Sequence, residues 1–305
     1  MQVAAAGVCG SELSAYLGHN ELRQPPLIMG HEFSGTITAV GRSEDADWIG
    51  RLVTSNPLIS CGTCRWCREG LRQLCQTRRI IGIDFAGAFA ETVLVPLHNC
   101  TPVDDAVTGS LVEPLACAYR AVHLANVKSG DTAVVYGAGI IGLMCARLLA
   151  QRGCQEVLVL DENPYRLAHA PVWGATHSVQ PRDLDVTEYV HTTEGADLVV
   201  DAVGASKTRE QALALVRRGG SVVWIGLHEE TSLLAANRIV RNEIAVRGSF
   251  CYTDDDFARA TDYANAGRLP RDGKWFEVRP LQEGAQAFRE LARGDSSLSK
   301  IILTI

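Results

Sequence analysis

Apolar and polar positions along the middle of the chain predict β-strands and helices in turn. Apolar, strand-like runs occur at 132–136, 156–160, 197–201, 221–225 and 244–248, with a weaker run at 176–179. Helical stretches separate most of these runs, and the clearest are 140–151 and 208–217. Such alternation is typical of βαβ units, whose strands form a parallel sheet. The pattern therefore predicts a doubly wound α/β domain over residues 119–250.

The regions on either side of this middle part follow a different pattern. Residues 1–118 contain short β-type runs at 34–40 and 89–96, separated by Gly, Pro and a cluster of Cys residues. Short runs between turn residues predict irregular β-structure with loops. The remaining residues, 251–305, are predicted to add two helices and a final apolar strand, at 254–266, 281–292 and 300–305.

Composition and charge narrow the functional classes. The chain has 305 residues, of which 47% are hydrophobic and 21% are charged, and its net charge is −6. Since no basic stretch accompanies this charge, nucleic acid and anionic membrane surfaces are not expected as main partners. The longest uncharged apolar stretch, 132–146, contains three glycines and is too short to span a membrane. The first residues lack the basic region of a signal peptide, so we expect a reducing, cytoplasmic setting.

A glycine-rich turn follows the first predicted strand of the middle part and opens its first helix. The turn is Gly137-Ala138-Gly139-Ile140-Ile141-Gly142, with G-x-G-x-x-G spacing. In such turns the first Gly allows the tight turn, the second lets the backbone approach a pyrophosphate, and the third lets the helix pack on the strand. The helix N-terminus then faces the negative charge, so this segment is predicted to bind a dinucleotide.

A carboxylate after the next predicted strand indicates which dinucleotide binds. Asp161 lies 19 residues after Gly142 and directly follows the run 156–160. A carboxylate there accepts hydrogen bonds from ribose hydroxyls and repels a 2′-phosphate, so NAD is favoured over NADP. The alternative is a glycine turn in an unrelated α/β protein, with Asp161 as a helix cap.

Four of the ten cysteines lie close together in the sequence. Cys61, Cys64, Cys67 and Cys75 are spaced C-x2-C-x2-C-x7-C. Four thiolates so close together can complete a tetrahedral zinc site without an open position, which indicates a structural zinc. An iron–sulfur cluster is one alternative, although the usual C-x2-C-x2-C-x3-C-P run is absent, and chance clustering of free thiols is another. Five others are predicted to be small core residues: Cys100, Cys117, Cys145, Cys154 and Cys251.

A second group of residues could bind metal near the start of the chain. Cys9 and the pair His31-Glu32 both lie in turns that contain Gly. Thiolate, imidazole and carboxylate suit zinc, and a catalytic zinc keeps about three protein ligands and one open position. Spacing alone does not identify this site, because an exposed His and a buried Cys would give the same pattern.

Together these segments resemble the zinc-dependent medium-chain dehydrogenase/reductase family, the alcohol and polyol dehydrogenases. The resemblance covers essentially the whole chain, and the matching segments follow the family's order and approximate separations. They are Gly7-Val8-Cys9-Gly10-Ser11, Gly30-His31-Glu32, the four-Cys segment, Glu113-Pro114-Leu115 and the glycine turn. Having both metal sites excludes the zinc-free quinone reductases among the family's members.

The resemblance implies the ligands of a catalytic zinc. Cys9 and His31 are implied as two ligands, and Glu32 as a carboxylate that binds the zinc directly or across a water. Glu113 occupies the position that is Cys in typical alcohol dehydrogenases and Glu in sorbitol- and threonine-dehydrogenase-like members. This implies polyols and related secondary alcohols as substrates.

Three further residues have roles by resemblance alone. Ser11 resembles the hydroxyl that takes the substrate's proton. Arg166, five residues past Asp161, resembles the basic residue beside the adenosine ribose. Lys300 resembles a cation that reaches the pyrophosphate.

The sequence departs from the family's pattern at four places. Glu12 stands where Asp is usual, so a longer side chain must orient the ligands. Ser14 stands where a His usually continues the proton relay from Ser11. Pro171 lies where relatives continue a helix, and proline should end or kink that helix. The chain also starts about thirty residues later than its relatives, so the first strands of the catalytic domain are expected to be missing.

The predicted architecture has two domains and two metal ions. Residues 1–118 and 251–305 are expected to form a GroES-like irregular β-barrel with the structural zinc lobe, and residues 119–250 a Rossmann domain that binds NAD. With two zinc ions per chain, the expected activity is hydride transfer between a secondary alcohol or polyol and NAD, in a homodimer or homotetramer. The alternative is a catalytically impaired, truncated homologue that binds NAD(H) as a sensor or interaction protein.

Overall fold

The protein is an α/β molecule with two main sheets. The strands of the parallel sheet come from the middle of the chain, and those of a mostly antiparallel sheet come from both ends of the chain. The computed structural model describes residues 1–19, 22–271 and 274–305. Strands among these residues, in chain order, are β1 (Gln2–Gly7), β2 (Glu32–Thr36), β3 (Leu52–Ser55), β4 (Leu58–Ile59), β5 (Arg79–Ile80), β6 (Cys100–Pro102), β7 (Thr132–Tyr136), β8 (Glu156–Leu160), β9 (His177–Val179), β10 (Ala196–Asp201), β11 (Val216–Trp224), β12 (Ala245–Gly248), β13 (Phe276–Pro280) and β14 (Lys300–Thr304).

Helices connect these strands and cover the parallel sheet. In chain order they are α1 (Gly10–Tyr16), α2 (Arg65–Arg68), α3 (Ala106–Gly109), α4 (Val112–Ala125), α5 (Ile140–Gln151), α6 (Pro164–Leu167), α7 (Val186–Thr193), α8 (Ser206–Leu215), α9 (Ala236–Arg241), α10 (Asp254–Asn265) and α11 (Gly284–Ala292). Short 3₁₀ turns occur at Ser43–Trp48, Arg72–Leu74, Leu97–Asn99, Ala170–Trp173, Pro181–Asp183 and Leu281–Glu283.

The parallel sheet has the strand order β12-β11-β10-β7-β8-β9. All its neighbouring strands pair in parallel, which confirms the predicted doubly wound topology. In this topology β7 and β10 lie at the point where the strand order reverses, and ligands bind beyond the carboxyl ends of such strands.

Both faces of the parallel sheet are buried, because successive side chains of a strand point to opposite faces. Val134 and Val135 of β7 are both 0% exposed, but they belong to different apolar clusters. Val135 packs with residues of α4, α5 and α10, whereas Val134 packs with residues of α8. Burial on both faces explains why the strand sequences are continuous apolar runs.

The second sheet has the order β13-β14-β1-β2-β3-β6, and β4 pairs with β5 separately. β1 lies inside this sheet, antiparallel to both β14 and β2. The predicted β-type run at 89–96 is not a strand: it forms a single bridge, between Thr92 and Gln2. Backbone hydrogen bonds join this segment to Met1 and Val3, at the start of β1. That contact is too short to form a regular ladder.

Proline ends a helix in the nucleotide domain, as the sequence predicts. α6 stops at Leu167, and Pro171 lies in the 3₁₀ turn that follows.

The strands of the parallel sheet all fall within 119–250 and those of the second sheet outside it, although the domain boundaries themselves remain a prediction. Among the described residues, no helix combines the length and apolarity of a membrane span.

Candidate metal and nucleotide sites

Three predicted zinc ligands meet where β1 and β2 pair. Gly7, at the end of β1, is the register partner of Glu32, the first residue of β2. Cys9 follows as the N-cap of α1, and His31 immediately precedes β2. The ligand atoms of Cys9, His31 and Glu32 all lie within 4.8 Å of one another. Antiparallel pairing therefore assembles a thiolate, an imidazole and a carboxylate, a donor set that fits zinc.

Glu12 orients these ligands through hydrogen bonds. Its carboxylate is fully buried and accepts hydrogen bonds from the backbone N–H groups of Cys9 and Gly30, at 3.0 and 2.9 Å. It also lies 2.8 Å from Nδ1 of His31, which leaves Nε2 as the ligand atom. Burial alone would raise the pKa of Glu12, but His31 and these hydrogen bonds lower it. The longer side chain thus performs the predicted orienting role.

Lys300 contacts the predicted metal ligand Glu32. Its side chain is 1% exposed, and Nζ forms an ion pair with Glu32 and donates to the carbonyl of Val8 at 3.0 Å. A Cβ on Gly7 would lie only 2.5 Å from the Glu32 carboxylate, so glycine makes room for this pair. Alternation along β14 turns the Lys300 side chain toward Glu32, and its contact with the pyrophosphate stays a prediction.

Glu113 lies near the three ligands but outside their group. It is 7% exposed in the first turn of α4, where its Oε1 is 3.8 Å from Sγ of Cys117. Burial raises the pKa of Glu113 to about 7, and the Glu32 charge acts in the same direction. The structure thus brings together three of the four predicted catalytic-site ligands, and the carboxylate of Glu113 is not within the same 4.8 Å.

The four clustered cysteines form a separate group. The ligand atoms of Cys61, Cys64, Cys67 and Cys75 lie within 4.8 Å of one another, with Sγ–Sγ distances down to 3.5 Å. Cys64 caps α2 and Cys67 lies within it, while Cys75 follows a 3₁₀ turn. This arrangement fits a closed tetrahedral zinc site.

The glycine turn has the geometry that a pyrophosphate needs. Gly137 has φ of 101°, a conformation that favours glycine. A Cβ on Gly142 would lie 1.8 Å from the carbonyl oxygen of Gly137, so the close helix–strand approach requires glycine there. A Cβ on Gly139 would meet no atom within 4 Å, which leaves open space beside the turn. Ile140 and Ile141 then open α5, and its N-terminus adjoins that space.

Asp161 follows β8 and lies beside the glycine turn. Its Oδ2 accepts from the N–H of Ala138 at 2.6 Å and its Oδ1 from that of Asn163 at 2.7 Å. Arg166, on α6, donates from Nε to the carbonyl of Ser296 at 3.3 Å. Their contacts with an adenosine ribose remain predictions.

Two buried polar residues near the metal group were not predicted from sequence. Arg23 is 7% exposed and donates from Nη2 to Oγ of Ser11 at 3.0 Å; that Oγ in turn donates to Sγ of Cys9 at 3.3 Å. Tyr252 is 1% exposed, and its hydroxyl faces the Glu113 carboxylate. Burial and then Glu113 raise its pKa. Both residues lie in irregular segments, where no periodic pattern signals burial.

Comparison with known proteins gives consistent matches over both parts of the chain. The family model of the alcohol dehydrogenase GroES-like domain matches residues 1–105, and that of the zinc-binding dehydrogenase matches residues 141–266. L-galactonate-5-dehydrogenase of Escherichia coli K12 is 30% identical over 100% of this chain and 91% of its own. Sorbitol dehydrogenase of Halalkalibacterium halodurans is 29% identical over 100% and 90%. Among solved structures, an alcohol dehydrogenase of Escherichia coli CFT073 complexed with NADH has a TM-score of 0.91 and 27% identity, over 100% and 90% of the two chains.

Proposed function

The chain belongs to the zinc-dependent medium-chain dehydrogenase/reductase family, and on that premise we propose that it oxidises a secondary alcohol of a polyol or sugar acid with NAD. The named relatives act on a neutral polyol, sorbitol, and on a sugar acid, L-galactonate. The observation that supports this function best is the donor set of Cys9, His31 and Glu32, which is joined to the nucleotide turn by neighbouring residues. Ser299 donates to the carbonyl of Ala138 at 2.9 Å, and the next residue, Lys300, pairs with Glu32.

We propose that Cys9, His31 and Glu32 hold the catalytic zinc, and that Cys61, Cys64, Cys67 and Cys75 hold a structural one. Zinc in the first site supplies a Lewis acid, which lowers the pKa of an alcohol hydroxyl. Glu12 fixes the His31 ring, and Lys300 holds the Glu32 carboxylate beside the other two ligands. Glu113 supports the site without being one of these three ligands.

Ser11 is the proposed acceptor of the hydroxyl proton. Its Oγ contacts both Cys9 and Arg23, so it lies beside the metal group. Ser14 stands in place of the family's His, so the onward route of the proton from Ser11 differs from the family's. NAD bound at the glycine turn would supply the acceptor for the hydride that leaves the carbinol carbon, so that the alcohol would become a ketone.

NAD reduction by a panel of secondary alcohols tests this function. The zinc-loaded protein should reduce NAD with at least one polyol or sugar acid, and Cys9→Ser should remove that activity. Tight NADH binding without turnover of any alcohol would instead favour the impaired homologue or sensor.

Asp161 is the proposed source of NAD preference over NADP. Asp161→Ala should weaken NAD and relax the discrimination against NADP, because the carboxylate both binds the ribose hydroxyls and repels the 2′-phosphate. Glu162→Ala is the matched control, since this neighbouring carboxylate is exposed and pairs with Lys207. Titration calorimetry with both nucleotides measures the effect, and tighter binding of NADP by the unmutated protein would contradict the assignment.

The proposed assembly is a homodimer or homotetramer in the cytoplasm. β12 is an edge strand of the parallel sheet, and three large apolar side chains near it in sequence are exposed: Leu227, Leu233 and Val240. An open edge with apolar neighbours supports strand pairing between two copies. None of the ten cysteines forms a disulfide, which supports a reducing compartment. Light scattering coupled to gel filtration should give twice or four times the mass of the chain.

A further inference from the structure

Arg23 is a buried cation that forms no ion pair with a carboxylate of the described residues. It is 7% exposed, and its Nε is buried and has no hydrogen-bond partner among the described residues. Among the described residues, its two terminal nitrogens donate to Ser11, from Nη2 to Oγ at 3.0 Å and from Nη1 to the carbonyl at 3.4 Å. Both acceptors are neutral. In the described ranges 1–19, 22–271 and 274–305, Arg23 forms no ion pair with a carboxylate.

Glu12 acts on this cation only from a distance: the charge of Arg23 lowers the pKa of Glu12, but the two side chains form no ion pair. The Glu12 carboxylate already binds three other groups, the N–H groups of Cys9 and Gly30 and the ring of His31. A buried charge without a partner is costly, whereas a bound anion would remove much of that cost. A guanidinium also matches the planar, two-oxygen edge of a carboxylate and the oxygens of a phosphate.

We propose that Arg23 binds an anionic group of the substrate, a carboxylate or a phosphate ester. The inference rests on the proposed function, because it names the substrate class for that same site. The enzyme then acts on hydroxy acids or phosphorylated alcohols in preference to neutral polyols. Arg23 is in this sense a specificity-determining residue of the reaction.

The position of Arg23 limits where the anionic group is attached. Two successive hydrogen bonds, of 3.0 and 3.3 Å, connect its guanidinium through Ser11 to Sγ of Cys9. An anion that binds Arg23 therefore lies close to the alcohol that reacts at the metal. Such a substrate has its carboxylate or phosphate ester within one or two carbons of the carbinol carbon.

Matched pairs of anionic and neutral substrates test this inference in the zinc-loaded protein. L-threonate is compared with L-threitol for the carboxylate, and glycerol 3-phosphate with glycerol for the phosphate ester. We expect kcat/KM for the anionic member to exceed that for the neutral member at least tenfold in one pair, and that pair identifies the anion. In Arg23→Met this ratio should fall at least tenfold, mainly through KM.

Two further variants separate charge from structure. Arg23→Gln keeps a hydrogen-bond donor for Ser11 but lacks the charge, so its ratio should fall as in Arg23→Met. Arg42→Met, which removes an exposed arginine paired with Glu44 and Asp45, should leave the ratio unchanged. Zinc content and melting temperature establish that each variant is folded. If both Arg23 variants lose turnover equally for the two members of a pair, Arg23 only positions Ser11 and the inference is wrong.

Binding to the enzyme–NADH complex gives a readout that does not depend on turnover. Calorimetry should detect threonate or glycerol 3-phosphate binding to the unmutated protein, and that binding should weaken at least tenfold in Arg23→Gln. If neither anion binds, or if binding is unaffected by the substitution, the inference fails. Efficient oxidation of threitol or glycerol without preference for the anions would overturn this inference alone, whereas no NAD reduction by any alcohol would contradict the proposed function.

Discussion

The two candidate metal sites are built in opposite ways. In the lobe, four like ligands come from one short segment, 61–75, and their sulfur atoms contact one another. In the other site, three unlike ligands come from two segments that meet only because β1 pairs with β2. The first site is partly exposed, whereas His31 and Glu32 of the second are buried and attached to Glu12 and Lys300.

The difference indicates that zinc stabilises the fold at the first site, whereas at the second site the fold positions the ligands for zinc. The lobe has few regular elements, so bound zinc would supply most of its stability. At the second site, sheet pairing and buried ion pairs place the ligands before any metal binds. We therefore expect stability to depend on the lobe site and turnover on the other.

Cys9→Ser should have the largest effect on activity. Loss of a direct ligand should reduce turnover by more than the roughly 10–100-fold that removal of an outer partner costs. Melting temperature should change little, because β1 and β2 stay paired. NAD reduction, elemental analysis and thermal melting measure these effects, with Cys154→Ser, a half-buried thiol in neither group, as the control. Unfolding of the Cys9 variant would show that the two sites do not differ as described.

Cys75→Ser should affect structure first. Structural zinc contributes about 10–16 kcal/mol to folding in small zinc peptides, so the lobe should unfold locally. Elemental analysis should show one zinc fewer per chain, and limited proteolysis should cut within the lobe. An intact, protease-resistant lobe without its zinc would contradict this prediction.

Glu12→Gln should weaken only the buried site. Removing the charge that orients His31 should lower zinc affinity there by about 10–100-fold and leave the lobe zinc in place. Zinc retained during dialysis against graded chelator concentrations measures both sites in one experiment. Glu44→Gln, an exposed carboxylate paired with Arg42, is the control. Equal loss of both ions would show that Glu12 acts on overall stability.

Glu113→Gln should lower turnover at least about tenfold, with little change in stability. If Glu113 only interacts favourably with the dipole at the N-terminus of α4, it contributes under about 1 kcal/mol to stability and turnover stays nearly intact. Glu188→Gln removes a carboxylate from the first turn of another helix, α7, and is the matched control. Equal behaviour of the two variants would exclude Glu113 from the metal site.

Local patterns in the sequence predict much of the fold. β7, β8 and α5 have the predicted bounds, because each depends on apolar periodicity within a few residues. The four-Cys group is likewise predicted by spacing alone. In both cases the residues that form the pattern are close together in the sequence, so the pattern does not depend on contacts between distant segments.

Contacts between distant segments could not be predicted in the same way. The approach of Glu32 to Cys9 depends on the register of β1 against β2, and the direction of Lys300 depends on which face of β14 it occupies. A shift of one residue would exchange Lys300 with a neighbouring position and turn its side chain to the other face. Arg23 lies in an irregular segment, so neither periodicity nor spacing indicates that it is buried.

β14 has a consequence for how the protein is made. Lys300 contacts Val8, 292 positions away in the sequence, while Ser299 contacts the nucleotide turn. During synthesis the parallel sheet can assemble as soon as its own strands emerge, since domains fold as units from the N-terminal side. The Glu32 carboxylate, however, stays without its cation until β14 has left the ribosome. A nascent chain that pauses before this strand can therefore have a folded nucleotide domain but an unfinished reaction centre.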